Sequence, residues 1–231
     1  MNKKIIIFSL IFLSNSWTIA KSAENSPYIG IQGGGNWVSP QYLKQQDLKF
    51  VKMNFKKPIK SGYVFGVTAG WDSKSGLRPE IEMNYRKNSL NKFSERYYEG
   101  NTVIDGQGSE SFLGVFTNIW YDFPVNLKVN DGVSIEPYLG GGVGYGRLTV
   151  KNLKAGGVPF GETFKDNVKA WQIGMGFKAK FNKDYSLSFD YRHLRTSQVD
   201  YHNNGLPLLP SDNIKTRYRS HSALVGIQYH F

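Results

Sequence analysis

The chain has 231 residues, 40% of them hydrophobic and 15% aromatic, with 25 glycines and a formal net charge of +11. Its mean hydropathy of -0.42 excludes a bundle of membrane-spanning helices, each of which needs about 20 consecutive apolar residues. Cysteine is absent, so disulfide frameworks, thiolate metal sites and lipid attachment through a cysteine are excluded.

At the amino end, Lys3 and Lys4 precede an apolar stretch over residues 5–13, and small residues follow around Thr18, Ala20, Ser22 and Ala23. A basic flank, a short apolar run and small residues form a secretory signal peptide. The sequence therefore predicts a removable segment over residues 1–22, cleaved after Ala20 or Ser22, and a mature domain over 23–231.

The mature chain then breaks into eight alternating segments. Strand side chains point to opposite faces with a period of two. The first segment, 28–37, has faces blurred by Gly30, Gly33, Gly34 and Gly35. The second sets Tyr63, Phe65, Val67, Ala69 and Trp71 against Gly62, Val64, Gly66, Thr68, Gly70 and Asp72. The third sets Leu77, Pro79, Ile81, Met83 and Tyr85 against Arg78, Glu80, Glu82, Asn84 and Arg86. That combination fits a ribbon whose one side meets lipid and whose other side meets a polar interior. The fourth alternates Leu113, Val115, Thr117, Ile119 and Tyr121 with Gly114, Phe116, Asn118, Trp120 and Asp122. The fifth carries Ile135, Leu139, Val143 and Tyr145 against Glu136, Tyr138 and glycines. The sixth places Trp171, Ile173, Met175, Phe177, Ala179 and Phe181 outward and Gln172, Gly174, Gly176, Lys178 and Lys180 inward. The seventh opposes Tyr185, Leu187, Phe189 and Tyr191 to Ser186, Ser188, Asp190 and Arg192. The eighth opposes Ala223, Val225, Ile227, Tyr229 and Phe231 to Ser222, Gly226, Gln228 and His230, with Leu224 the one misfit.

Connections alternate in length: short at 73–76, 124–132 and 182–184, long and polar at 38–60, 87–108, 151–166 and 196–216. Periplasmic turns and longer external loops have this signature. With the first strand rising outward, Trp37, Tyr63, Tyr85, Tyr145, Trp171 and Tyr191 gather at the outer rim. Trp71, Tyr121, Phe123, Phe181, Tyr185, Tyr229 and Phe231 gather at the periplasmic rim. Such aromatic girdles mark the two membrane interfaces. The fold class that follows is all-β: an eight-stranded antiparallel up-and-down transmembrane β-barrel in a Gram-negative-type outer membrane, expected to be monomeric.

A narrow lumen makes the inward charges meet. Arg78, Glu80, Glu82 and Arg86 are expected to pair with Glu136, Lys178, Lys180, Asp190 and Arg192 in a salt-bridged plug, because a buried charge is costly unless paired. The alternative use of the same groups is a selective pore. In the first outer loop Lys44, Lys49, Lys52, Lys56, Lys57 and Lys60 are opposed only by Asp47. This basic surface is a candidate for binding lipopolysaccharide or an acidic host polymer; as an alternative, it is a solvated face.

A lipid A acylhydrolase or outer-membrane protease is weighed through the histidines His193, His202, His221 and His230. A nucleophile needs a base within reach. His221 and Ser222 fall on opposite faces, and His193 shares a face with Ser197 only if the strand runs on past Arg195. No catalysis, cofactor or metal is expected. Nucleic-acid binding, which the charge alone would suggest, lacks any zinc-finger spacing, helix-turn-helix pattern or phosphate loop.

The opening Pro27-Tyr-Ile-Gly-Ile-Gln-Gly-Gly-Gly, the segment Asn118-Ile-Trp-Tyr-Asp-Phe123, Glu136-Pro-Tyr-Leu-Gly-Gly-Gly-Val-Gly-Tyr145 and the ending Gly226-Ile-Gln-Tyr-His-Phe231 resemble the opacity-protein and surface-antigen family of eight-stranded OmpA-like barrels. The resemblance covers nearly all of the mature chain. It implies insertion by the barrel assembly machinery, which would read the terminal strand through Tyr229 and Phe231. It also implies exposure as a surface antigen or adhesin with an external, host-derived ligand.

Overall fold

The computed structural model describes residues 25–39, 41–43, 55–57, 61–97, 100–125, 127–130, 133–155, 158–159, 163–181, 184–201 and 214–231. The expected signal peptide lies outside them. Eight strands form the wall: β1 (Ser26–Val38), β2 (Gly62–Asp72), β3 (Leu77–Tyr97), β4 (Gly100–Asp122), β5 (Val133–Ala155), β6 (Phe164–Lys180), β7 (Tyr185–Thr196) and β8 (Arg219–His230).

Each strand pairs antiparallel with its successor. β8 then pairs with β1 from Tyr28 opposite His230 to Val38 opposite Ser220, so the ring closes. Closure removes every unpaired edge from contact with lipid, where an unsatisfied backbone group costs several kcal/mol.

The register fixes which side chains face out. Val143 and Met175 are 69% and 63% exposed, while Glu82 and Arg86, two and three strands away, are fully buried. An apolar exterior around a polar interior reverses the arrangement of a soluble protein, and half of each strand meeting lipid explains the low mean hydropathy. Both girdles are present on the outward face, with Trp37, Tyr63, Tyr145, Trp171 and Tyr191 exposed towards one end and Trp71, Tyr121, Phe181, Tyr185, Tyr229 and Phe231 towards the other.

The structure resolves two ambiguities of the sequence pattern and moves two of its boundaries. β1 has clear faces despite its glycines, burying Tyr28, Gln32, Asn36 and Val38. Leu224 keeps its inward register and is buried. Residues 87–97 and 100–108, expected in a loop, belong to strands: β3 continues to Tyr97 and β4 starts at Gly100, with register shifts after Leu90 and between Gln107 and Ser109. Likewise β5 continues to Ala155, past the expected boundary of the third outer loop. Beyond the bilayer the outward face has no need of apolar residues, so the ladder continues where alternation fades. The turn after β2 is tight: Gly76 donates its N–H to the Ser73 carbonyl at 2.9 Å and adopts φ +82°, which glycine tolerates without a Cβ clash.

Candidate functional site: the filled lumen

Glu82, on the inward face of β3, sits at the centre of the lumen with no exposed surface. Its Oε2 accepts from Arg192 Nη1 at 2.6 Å, Gln172 Nε2 at 2.7 Å and Asn118 Nδ2 at 2.8 Å. Its Oε1 accepts from Gln32 Nε2 at 2.8 Å and Asn84 Nδ2 at 2.9 Å. Donors from β1, β3, β4, β6 and β7 thus converge on one carboxylate and tie five strands across the ring. Arg192 also lies 3.5 Å from Asp190, which accepts a short hydrogen bond from the Tyr138 hydroxyl. The Arg192 guanidinium covers the Trp120 ring at 4.8 Å, a stacking geometry available to a planar cation.

Towards the end that carries the turn after β2 the charges form a second cluster. Arg78 pairs with Asp122 at 3.1 Å and lies 3.6 Å from Asp72 and 3.7 Å from Glu80. Lys178 reaches Asp122 at 2.8 Å, Asp72 at 3.2 Å and Glu136 at 3.8 Å, and Lys180 reaches Glu136 at 3.1 Å. Glu80 accepts from Tyr28 at 2.8 Å and from Trp120 and Asn118 at 3.0 Å each. The sequence pattern set Arg78, Glu80, Glu82 and Arg86 as a group against Glu136, Lys178, Lys180, Asp190 and Arg192; the structure gives Arg78 instead Asp72 and Asp122, on the two strands that flank β3. Those aspartates face inward by the same alternation, and the register of adjacent strands decides that they arrive first.

Arg86 departs from the ion-pair expectation. It is fully buried, and among the described residues no carboxylate pairs with it. Its guanidinium instead donates to Ser220 Oγ at 3.0 Å, Ser222 Oγ at 3.2 Å, Gln172 Oε1 at 3.3 Å and Asn84 Oδ1 at 3.3 Å. Hydrogen bonds to neutral oxygens replace the hydration shell, and the Glu82 charge next along β3 supplies the field.

Above Arg86 an apolar cluster fills the lumen beside the buried Asn36, Asn88 and Glu110. Val38, Phe112, Phe116, Leu148, Val168, Ala170, Leu194, Val199 and Tyr218 form one buried cluster, in which the Phe112 and Tyr218 rings stack at 5.9 Å. This upper plug was missed at the sequence level. Its signal was available: near their outer ends β4 to β7 carry large apolar residues on the inward phase, where the lower barrel carries amides and charges.

The other candidate residues scatter. Lys44, Lys49, Lys52 and Lys60 lie outside the described residues; Lys56 and Lys57 belong to a short strand, Phe55–Lys57, paired with Gln41–Leu43. His193 and His221 oppose each other on the outward face with ring centroids 4.7 Å apart. His230 points inward, 2.9 Å from Ser186 Oγ, and His202 lies outside the described residues. β7 ends at Thr196, and Ser197 lies beyond the strand, its N–H bonded to the Lys169 carbonyl at 2.7 Å. Among the described residues no cluster of three or more His, Asp or Glu side chains is placed to hold a metal ion.

A closed antiparallel ring with a lipid-facing exterior, two aromatic girdles and a hydrogen-bonded interior defines an integral β-barrel protein of a Gram-negative-type outer membrane. The chain belongs to the outer membrane protein beta-barrel domain family, whose model matches residues 6–231. Among solved structures it is similar to Neisserial surface protein A (NspA), at 14% identity and a TM-score of 0.50, covering 89% of this chain and 97% of that one. It is also similar to the outer membrane protein OprG from Pseudomonas aeruginosa, at 16% identity and a TM-score of 0.56, covering 92% and 98%. No curated protein sequence matches the chain.

Proposed function

We propose that this barrel is a rigid, non-conducting and non-catalytic stalk that carries interaction surfaces at its outer end. The observation supporting this is the cross-section at Glu82, where side chains from five strands hydrogen-bond one carboxylate. An aromatic plug lies directly above it. An eight-stranded barrel has room for side chains alone, and among the atoms of this cluster only Arg192 Nε and Asp190 Oδ2 are buried without a hydrogen-bond partner. Nothing in such a lumen has to move for the protein to be stable, so recognition belongs to the outer connections. Assembly through the Tyr229 and Phe231 end, residence as a monomer among outer-membrane lipid and lipopolysaccharide, and engagement of a host or extracellular ligand complete this reading.

Planar-bilayer recording of the purified, refolded protein tests it. The expected record is a flat baseline, with brief openings only after Phe112→Ala and Phe116→Ala are combined with Glu82→Ala. Stable, reproducible unitary openings from the unaltered protein would overturn the reading.

A further inference from the structure

The outward face of the wall changes character just above the outer girdle, and it does so on one side only. Continuing the outward phase past Tyr145, Trp171 and Tyr191, the chain places Arg147 on β5, Lys165 and Lys169 on β6, Arg195 on β7 and Arg219 on β8. Arg147, Lys165, Lys169 and Arg219 are exposed and Arg195 is half-buried. The outward positions of β5 to β8 in this band carry no aspartate or glutamate among the described residues. The opposite wall differs: β3 and β4 present Lys87, Ser89 and Ser111 there.

Register makes the cations one stripe. Arg195 stands directly opposite Arg219, and Trp171 opposite Arg195. Lys169 is opposite Tyr145, two residues from Arg147 along β5. Across four strands spaced about 4.8 Å apart the stripe is about 14 Å wide. Like charges directly opposed on one face of a sheet destabilise it, and no described carboxylate on this face offsets the Arg195 and Arg219 pair. Beside the pair, His193 and His221 add two further nitrogen-bearing rings, and His193 Nδ1 is buried without a hydrogen-bond partner. The arrangement is a cost for the isolated barrel that an anion would relieve.

We propose that this stripe binds the phosphate groups of a phosphorylated glycolipid in the outer leaflet. Its position selects that ligand over a soluble polymer: the cations share the lipid-facing phase, and the girdle rings Trp37, Trp171 and Tyr191 beneath them are exposed at the height where acyl chains give way to headgroups. A basic cluster at that level attracts anionic headgroups, each cation strengthening binding about fivefold. The inference uses only the outer surface and so does not depend on the plugged lumen, but it rests on the proposed residence of the barrel among lipopolysaccharide with this end outward.

The test is titration of the full refolded barrel, in zwitterionic detergent, with fluorescent lipopolysaccharide in its phosphorylated and dephosphorylated forms. The phosphorylated form should bind more tightly, and added salt should weaken it. Combining Arg147→Gln, Lys169→Gln, Arg195→Gln and Arg219→Gln should weaken binding by about 600-fold, while Lys87→Gln on the other wall leaves it unchanged. Arg195→Gln and Arg219→Gln singly should each show a partial loss, which covers the case in which the fourfold variant fails to refold. Equal affinity for both lipid forms, or an unaltered response from these variants, would overturn the proposal. So would competition by inorganic phosphate or heparin as effective as that by the lipid.

Discussion

Glu82 can organise the lumen because a carboxylate offers about four acceptor sites and the barrel turns donors from Gln32, Asn84, Asn118, Gln172 and Arg192 onto them. Glu82→Ala would leave the Arg192 guanidinium buried beside amides that have lost their acceptor. Removing one partner of a buried pair costs about 3–5 kcal/mol, so the urea midpoint of this variant in lipid should fall steeply. Lys180→Gln, at the wetter periplasmic end where Lys180 is 20% exposed, should cost about 1 kcal/mol or less. A Glu82→Ala midpoint no lower than that of Lys180→Gln would contradict the hub. At this scale the sequence was legible in part. Alternation alone places Glu82, Arg192 and Lys178 inside the barrel. The choice of partner was not legible, because Gln32, Asn118 and Gln172 bear no charge to count and because Arg78 meets Asp72 and Asp122 through the stagger between strands. That stagger belongs to the closed ring, and no single strand encodes it.

Strands β4 and β5 show how size is shared between neighbours. β4 points Phe112, Phe116, Asn118 and Trp120 inward; β5 faces Phe116, Asn118 and Trp120 with Gly144, Gly142 and Gly140, while Phe112 stands opposite Leu148 and Gly146 opposite Gly114. A Cβ at Gly144 would come 2.5 Å from the Phe116 ring, and one at Gly146 2.5 Å from the Phe112 ring. The glycines that obscure the hydrophobic pattern are therefore the space into which the aromatic plug fits. Gly114, on β4 itself, gives the cleanest test, since the three atoms nearest an added Cβ there all belong to the rings of Phe112 and Phe116, at 2.5 to 2.9 Å. Gly114→Ala should destabilise by about 1–3 kcal/mol through overpacking. Adding Phe112→Leu should recover part of the loss in a double-mutant cycle on the urea midpoint, whereas strict additivity would show that the rings do not oppose the methyl group. The length of the β3 and β4 hairpin escaped the sequence reading for a related reason. Past Tyr85 the outward residues Lys87 and Ser89 are polar and exposed, so no apolar period marks the strand whose ladder continues out to Tyr97 and Gly100.

At the scale of the whole molecule, the order of strands around the ring equals their order in the chain, and the connections after β2, β4 and β6 share one end. That end should face the periplasm. Lys74 is exposed in the turn between β2 and β3, so trypsin applied to intact cells should spare it and cut instead between Lys44 and Lys60; cleavage at Lys74 should appear only after the envelope is permeabilised. Cutting at Lys74 on intact cells would invert the topology. The ring was the most legible feature of all, because each strand independently needs one greasy face and one wet one. The pairing of β1 with β8 brings a further consequence. Phe231 donates its N–H to the Pro27 carbonyl at 3.0 Å, so segments far apart in sequence are stitched side by side along a seam. A nascent ribbon with seven strands in place would still have two raw margins, each a row of thirsty amides and carbonyls. Those margins can heal only against each other, and until they do, something other than hydrocarbon has to shelter them.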